Sequence, residues 1–64
     1  MNAEGIVKNR MPNAVVEEHT TLSGVKNWYI VDGESCVPFA NGSTEDKAWS
    51  AAKEILLDNE QADG

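Results

Sequence analysis

Three runs along the chain mix apolar and polar side chains in the manner of short β-strands. They span residues 14–19, 25–31 and 34–39, and the second run is the richest in aromatic and β-branched residues. The second and third runs are joined by Asp32-Gly33, which favours a two-residue type I′ turn because both positions tolerate positive φ. The pattern therefore predicts a three-stranded antiparallel meander.

The predicted two-residue turn fixes the pairing of the second and third strands. Tyr29 then faces Cys36, and the large apolar residues that share one face are Trp28, Ile30, Val37 and Phe39. The first and second strands can pair in several registers. One of these sets Glu18 opposite Lys26 and Val16 beside Trp28, which brings the large apolar residues of one face together.

A fourth segment has apolar residues at helical spacing. Ser43 and Thr44 are suitable N-cap residues, and Glu45 and Asp46 suit the positive end of the helix dipole that follows. The apolar stripe consists of Ala48, Trp49, Ala52, Ile55 and Leu56. We expect a helix over residues 44–59.

The predicted architecture is an α+β fold of order β-β-β-α, with one C-terminal helix packed on one face of the sheet. Residues 1–13 contain one apolar pair, Ile6 and Val7, and are expected to form a flexible or loosely docked arm. Residues 14–59 form a single domain, and residues 60–64 form a polar tail. With 64 residues, the chain has room for one small core.

The charge of the chain excludes several classes of partner. Five basic residues against 11 acidic ones give a net charge of −6 and a pI near 4.4. Phosphate backbones and anionic membranes repel such a chain. No apolar run approaches the roughly 20 residues of a transmembrane helix, and the first residues do not resemble a secretory signal. The single cysteine, Cys36, cannot form an internal disulfide, so we expect a reduced, cytoplasmic protein.

The sequence contains no catalytic motif. His19 and Cys36 are the only imidazole and thiol, and the predicted pairing separates them by two strands, too far for a nucleophile and its base. Glu17 and Glu18 are neighbours on a strand and point to opposite faces, so they cannot act as an acid–base pair. A metal site needs three or four suitably spaced ligands. We therefore expect no enzymatic activity, no catalytic residue, no cofactor and no bound metal.

The face of the sheet opposite the helix is the leading candidate for function. The predicted pairing places Val15, Tyr29 and Cys36 side by side there, with Val31 next to them. An exposed apolar row of this kind often marks a protein contact. We therefore predict a non-enzymatic protein-interaction module, with a self-associating structural domain or homodimer as an alternative. In a competing arrangement, the N-terminal arm folds back and covers this row.

An acidic surface is the second candidate. Residues 43–64 hold six acidic residues and two lysines, which gives this segment a net charge of −4. Exposed carboxylates such as Glu54 and Asp58 would allow the helix to occupy the basic groove of a nucleic-acid-binding protein. The alternative function is therefore that of an acidic nucleic-acid mimic.

The C-terminal half resembles a double-stranded RNA-binding domain. In that family three strands are followed by a glycine, a serine, a basic cluster and an alanine-rich helix, and here residues 41–53 read Asn-Gly-Ser-Thr-Glu-Asp-Lys-Ala-Trp-Ser-Ala-Ala-Lys. Glu45-Asp46-Lys47 stands in place of the basic cluster, and no helix is predicted before the strands. The resemblance implies a shared shape without RNA binding. The β-β-β-α order is also similar to that of the arm-binding domains of phage integrases.

Residues 14–57 together resemble small acidic phage or prophage accessory proteins of β-β-β-α type. Such proteins pair an aromatic hairpin, here residues 28–33, with a helix that starts Ser/Thr-Glu-x-x-Ala-Trp, here residues 44–49. Some members are compact acidic inhibitors of host enzymes or of defence complexes. The resemblance implies an inhibitor or modulator of a host protein.

Overall fold

A computed structural model describes residues 2–62, with side chains described for residues 2–59. Three antiparallel strands in the order β1-β2-β3 form an open sheet, and the C-terminal helix packs mainly against β3 and β2. The elements are α1 (Ala3–Arg10), β1 (Ala14–Thr20), β2 (Lys26–Asp32), β3 (Val37–Gly42) and α2 (Glu45–Ala62). The predicted α+β fold, a three-stranded meander followed by a helix, is confirmed.

The N-terminal segment contains a helix that the sequence pattern did not predict. Asn2 caps α1 by accepting a hydrogen bond from the Gly5 amide at 2.8 Å, and Lys8 pairs with Glu4 at 2.9 Å on its surface. Val7 is 0% exposed and belongs to the core. The expected arm is therefore a capped helix that docks against α2 through one buried side chain.

The turn between β2 and β3 is longer than predicted. It comprises residues 33–36, and the Cys36 amide closes it by donating to the Asp32 carbonyl at 2.7 Å. The Asp32 side chain accepts a second bond from the Glu34 amide at 2.9 Å. The two-residue turn at Asp32-Gly33 was therefore wrong. Val31 pairs with Pro38 instead, and a bulge next to this pair shifts the register of the rest of the hairpin.

The pairing of β1 with β2 differs from the predicted register by two residues. Val16 lies opposite Ile30, and Glu18 lies opposite Trp28. A shift of two keeps every side chain on its predicted face, because strand side chains alternate with a period of two. Ala14 and Ile30 are buried as expected. The longer turn displaces β3 from its predicted pairing more than the register shift displaces β1. Val37, predicted to be buried, is 57% exposed.

Helix α2 covers the inner face of the sheet. The Thr44 hydroxyl caps it by accepting a bond from the Lys47 amide at 3.1 Å, and the helix continues to Ala62. The core cluster of fully or nearly buried residues consists of Val7, Ala14, Ile30, Ala40, Ala48, Trp49 and Ala52. Ile55, predicted to belong to the buried stripe, is 38% exposed.

The C-terminal boundary differs from the prediction. Residues 60–62, expected in a polar tail, are helical in backbone, and residues 63–64 of that tail lie outside the described residues.

Among residues 2–62, neither helix combines the length and the apolar character that crossing a membrane requires.

A close approach between β3 and α2 depends on Gly42. A Cβ atom at this position would lie 2.5 Å from the Ala48 amide nitrogen and 2.7 Å from the Lys47 carbonyl carbon. Both are backbone atoms, so a side chain here would force the helix away from the sheet. This glycine allows α2 to lie directly on β3, which leaves the opposite face of the sheet without a helix.

Candidate functional site

The face of the sheet that points away from both helices is the candidate site, and we call it the open face. It consists of Val15, Glu17, His19, Asn27, Tyr29, Val31, Pro38 and Asn41. The residues of the core cluster lie on the other side, and Val31 is the one buried side chain of the open face. The competing arrangement, in which the N-terminal segment covers the open face, was therefore wrong: Val7 belongs to the core on the helix side.

An apolar row crosses one end of the open face. Val15, Val31 and Pro38 lie side by side on the three strands. Val31 at the centre is only 5% exposed, whereas Val15 is 46% exposed. The row is therefore exposed at Val15 and Pro38 and buried at its centre. Exposed apolar residues that lie together in this way are suited to contact with another apolar surface.

A polar and aromatic cluster adjoins this row. Tyr29 lies between Glu17 on β1 and Asn41 on β3. The rings of His19 and Tyr29 meet edge to face, with their centroids 5.1 Å apart. The Nε2 atom of His19 lies 3.1 Å from Oε1 of Glu17. An ionised carboxylate can only accept, so a hydrogen bond to an ionised Glu17 requires the tautomer of His19 with a proton on Nε2.

Two concavities flank Tyr29. The first, of about 440 Å³, is lined by Glu17, His19, Tyr29 and Pro38. The second, of about 350 Å³, runs from Tyr29 and Pro38 around the edge of β3 to Ile55 on α2. Tyr29 therefore stands between a depression on the open face and a groove at the sheet edge.

The structure brings together three of the four sheet residues predicted for the site. Val15, Tyr29 and Val31 all lie on the open face. Cys36 does not, because it belongs to the β2–β3 turn and pairs with no strand residue. Its placement beside Tyr29 was wrong, since it depended on the two-residue turn. The thiol is free and exposed.

The acidic helix surface is separate from the open face. Glu54 and Asp58 are exposed and lie four residues apart, one turn of α2, on the helix side of the sheet. The two predicted surfaces therefore lie on different elements, and each can be tested by its own variants.

Sequence reasoning did not assign Glu17, His19 and Pro38 to the site. Glu17 and His19 could have been assigned from the sequence, because alternate residues of a strand point to the same face. Residues 15, 17 and 19 therefore share a face, and a register shift of two residues does not change that. Pro38 required knowledge of the turn length, since only the longer turn places it opposite Val31.

The described residues offer no evident site for metal chemistry. No group of three or more His, Cys, Asp or Glu side chains within residues 2–59 converges as a metal site would require. His19 lies near the β1–β2 turn, whereas Cys36 lies in the turn at the other end of β2. The open face presents a surface of mixed apolar, aromatic and carboxylate character.

Comparison with family models, with curated proteins and with solved structures found no match. The geometry of the open face and the charge of the chain are therefore the basis for a functional assignment.

Proposed function

We propose that this chain is a non-enzymatic, cytoplasmic protein-interaction module that binds another protein through the open face. The observation that carries the proposal is the position of Tyr29, half-buried beside an apolar row on the side of the sheet that neither helix covers. Tyrosine is enriched in protein interfaces because its ring supplies a large rigid contact area and its hydroxyl group supplies a polar handle. The resemblance to small acidic phage accessory proteins favours an inhibitor or modulator of a host protein.

Charge favours a basic partner over a second copy of the chain. Each chain carries a net charge of −6, so self-association would bring together two like-charged molecules. A partner with positive potential would gain from the same charge, both in its rate of encounter and in its orientation. A homodimer is thus the less favoured alternative.

The experiment is a comparison of Tyr29→Asp with Tyr29→Phe. We expect the aspartate variant to lose partner capture, because it removes the ring that supplies the contact area and places a charge beside the apolar row. The phenylalanine variant keeps the ring and should retain most of the capture. Each variant serves as bait in lysate of the source cell, with captured proteins quantified by mass spectrometry. Sedimentation of the purified protein reports any self-association.

The thermal midpoint of each variant decides how that comparison is interpreted. We expect a nearly unchanged midpoint, because Tyr29 lies outside the core cluster. Unfolding of Tyr29→Asp would show that Tyr29 is part of the core and would contradict the proposal. Capture of the same proteins by wild type and by a folded Tyr29→Asp variant would show that the contact lies elsewhere.

An acidic nucleic-acid mimic is the second candidate function. It is favoured by the pair Glu54 and Asp58, which are exposed on one side of α2, together with exposed carboxylates at Glu45 and Asp46. Binding of this kind would weaken steeply with salt and would depend on α2 rather than on Tyr29.

A further inference from the structure

We propose that the depression lined by Glu17, His19, Tyr29 and Pro38 binds the guanidinium group of an arginine on a basic partner protein. This inference rests on the proposed function and names the chemistry of its contact. One carboxylate, one phenol ring and one pyrrolidine ring surround the same 440 Å³ space. They match the charge, the planar face and the aliphatic stem of an arginine side chain.

Glu17 supplies the charge. Its side chain is 50% exposed, and its contact with His19 at 3.1 Å uses one of the roughly four acceptor positions that a carboxylate offers. The bond from His19 also restrains the carboxylate, which lowers the entropy that a ligand must remove when it binds. An incoming fork of two N–H groups therefore finds an oriented, incompletely used acceptor.

Tyr29 and Pro38 supply the walls of the depression. A guanidinium plane stacks on an aromatic face more readily than a lysine ammonium does, because it is planar and more weakly hydrated. The edge-to-face contact with His19 fixes the Tyr29 ring from one side. The aliphatic stem of the ligand packs against Pro38 and the adjoining valine row.

His19 is the one side chain of the open face that can compete with a cationic ligand for Glu17. Among its eight residues none is lysine or arginine, and the one basic group is the imidazole of His19. Lys26 lies on β2, but its side chain points to the helix side of the sheet because it shares a face with Trp28 and Ile30. With a net charge of −6, the chain attracts a cationic ligand and repels a phosphate-bearing one. The occupant is therefore a basic protein segment rather than a nucleic acid or a second copy of this chain.

The test uses a defined probe, the capped peptide acetyl-Gly-Val-Arg-Val-Gly-amide, titrated into isotope-labelled full-length protein and followed by NMR. We expect chemical-shift changes centred on Glu17, His19 and Tyr29. The lysine counterpart should bind more weakly, and the citrulline counterpart, which keeps the shape without the charge, should bind weakest. Equal binding of the arginine and citrulline peptides would overturn the guanidinium assignment.

A matched pair of variants separates a local contact from general attraction. Glu17→Gln and Glu18→Gln remove the same charge from adjacent positions, but only Glu17 lies on the open face. We expect Glu17→Gln to lower the affinity for the arginine peptide about fivefold and Glu18→Gln to lower it less than about twofold. Equal losses in the two variants, or shift changes centred on α2, would contradict the proposal. Thermal midpoints confirm that both variants fold.

The outcomes distinguish this proposal from the proposed function. If the arginine peptide fails to bind while Tyr29→Asp still abolishes partner capture, the arginine site is wrong and the open face remains the contact. If Tyr29→Asp and wild type capture the same proteins, the proposed function fails whatever the peptide does. The remaining possible occupant is a second copy of the chain, and sedimentation of the wild-type protein at millimolar concentration tests for it. A dimer that the arginine peptide dissociates would also overturn the proposal.

Discussion

Cys36 has an unusual backbone conformation for its residue type. Among the described residues it is the one non-glycine with a positive φ, at 59°. The left-handed region brings Cβ close to the following carbonyl group, which costs roughly 1–2 kcal/mol for most residues and less for asparagine. Cys36 is the last residue of the turn, and its amide closes the turn by donating to the Asp32 carbonyl group. The turn therefore holds a strained residue that a single substitution can relieve.

We expect Cys36→Asn to raise the free energy of unfolding by up to about 1 kcal/mol, since asparagine adopts this conformation more readily. Urea denaturation of the reduced protein measures the change. Ser35→Asn is the matched control, because it introduces the same side chain one position earlier, where φ is not positive, and it should change stability by less than about 0.5 kcal/mol. Equal stabilisation by both variants would show that the effect comes from the added amide group and not from φ.

At the scale of elements, α1 shows how a short helix depends on packing. It has eight residues, and isolated helices of this length are marginal in water. Its sequence includes Gly5, which disfavours a helix, and its large apolar residues are one adjacent pair, Ile6 and Val7. Ala3 and Met11, each four residues from Val7, complete the side that packs against the core. The Asn2 cap was the available signal. By contrast, α2 repeats its apolar stripe over several turns, so its start was predictable to within one residue.

We expect Val7→Ala to lower the free energy of unfolding by about 2 kcal/mol, because it removes two methyl groups from a fully buried site. Ile6→Ala deletes one carbon more from a half-buried site and should have the smaller effect. Thermal and urea unfolding measure both variants. A larger loss for Ile6→Ala would show that α1 docks through a different face from the one described.

The strands show which structural features follow from local sequence and which require tertiary contacts. The alternation of side chains along a strand does not depend on tertiary contacts. The assignment of Val15, Tyr29 and Val31 to one face was therefore correct although the predicted register was wrong by two residues. The length of the β2–β3 turn is not local. The Gly33 amide donates to the Asn13 carbonyl group at 2.9 Å, and the Asn13 side chain donates to Glu34 at 2.9 Å, so the segment before β1 helps to shape this turn.

At the scale of the whole molecule, the two helices lie on one side of the sheet and the open face lies on the other. The sequence predicted one covering helix, and α1 adds a second without changing which face stays open. The candidate surface therefore follows from the architecture, whereas its chemistry depends on the register. Glu17 and His19 meet Tyr29 because β1 pairs with β2 as it does, and Pro38 joins them because of the longer turn.

The net charge of the molecule makes a kinetic prediction that separates the two candidate surfaces. Reversing Glu54 and Asp58 to lysine adds two charges at each position and changes the net charge from −6 to −2. If a basic partner docks on the open face, these residues steer the encounter without contacting the partner. The association rate at low salt should then fall about two- to tenfold, while the dissociation rate is unchanged.

Biosensor measurements with the captured partner test this, with Lys47→Glu as the control of opposite sign. Lys47 is exposed near the start of α2, its reversal changes the net charge to −8, and it should accelerate association. Both effects should vanish near 1 M salt, where the screening length is about 3 Å. Faster dissociation of the doubly reversed variant would place Glu54 and Asp58 in the contact itself. Combined with unaffected binding by Tyr29→Asp, that result would identify the chain as an acidic mimic that acts through α2.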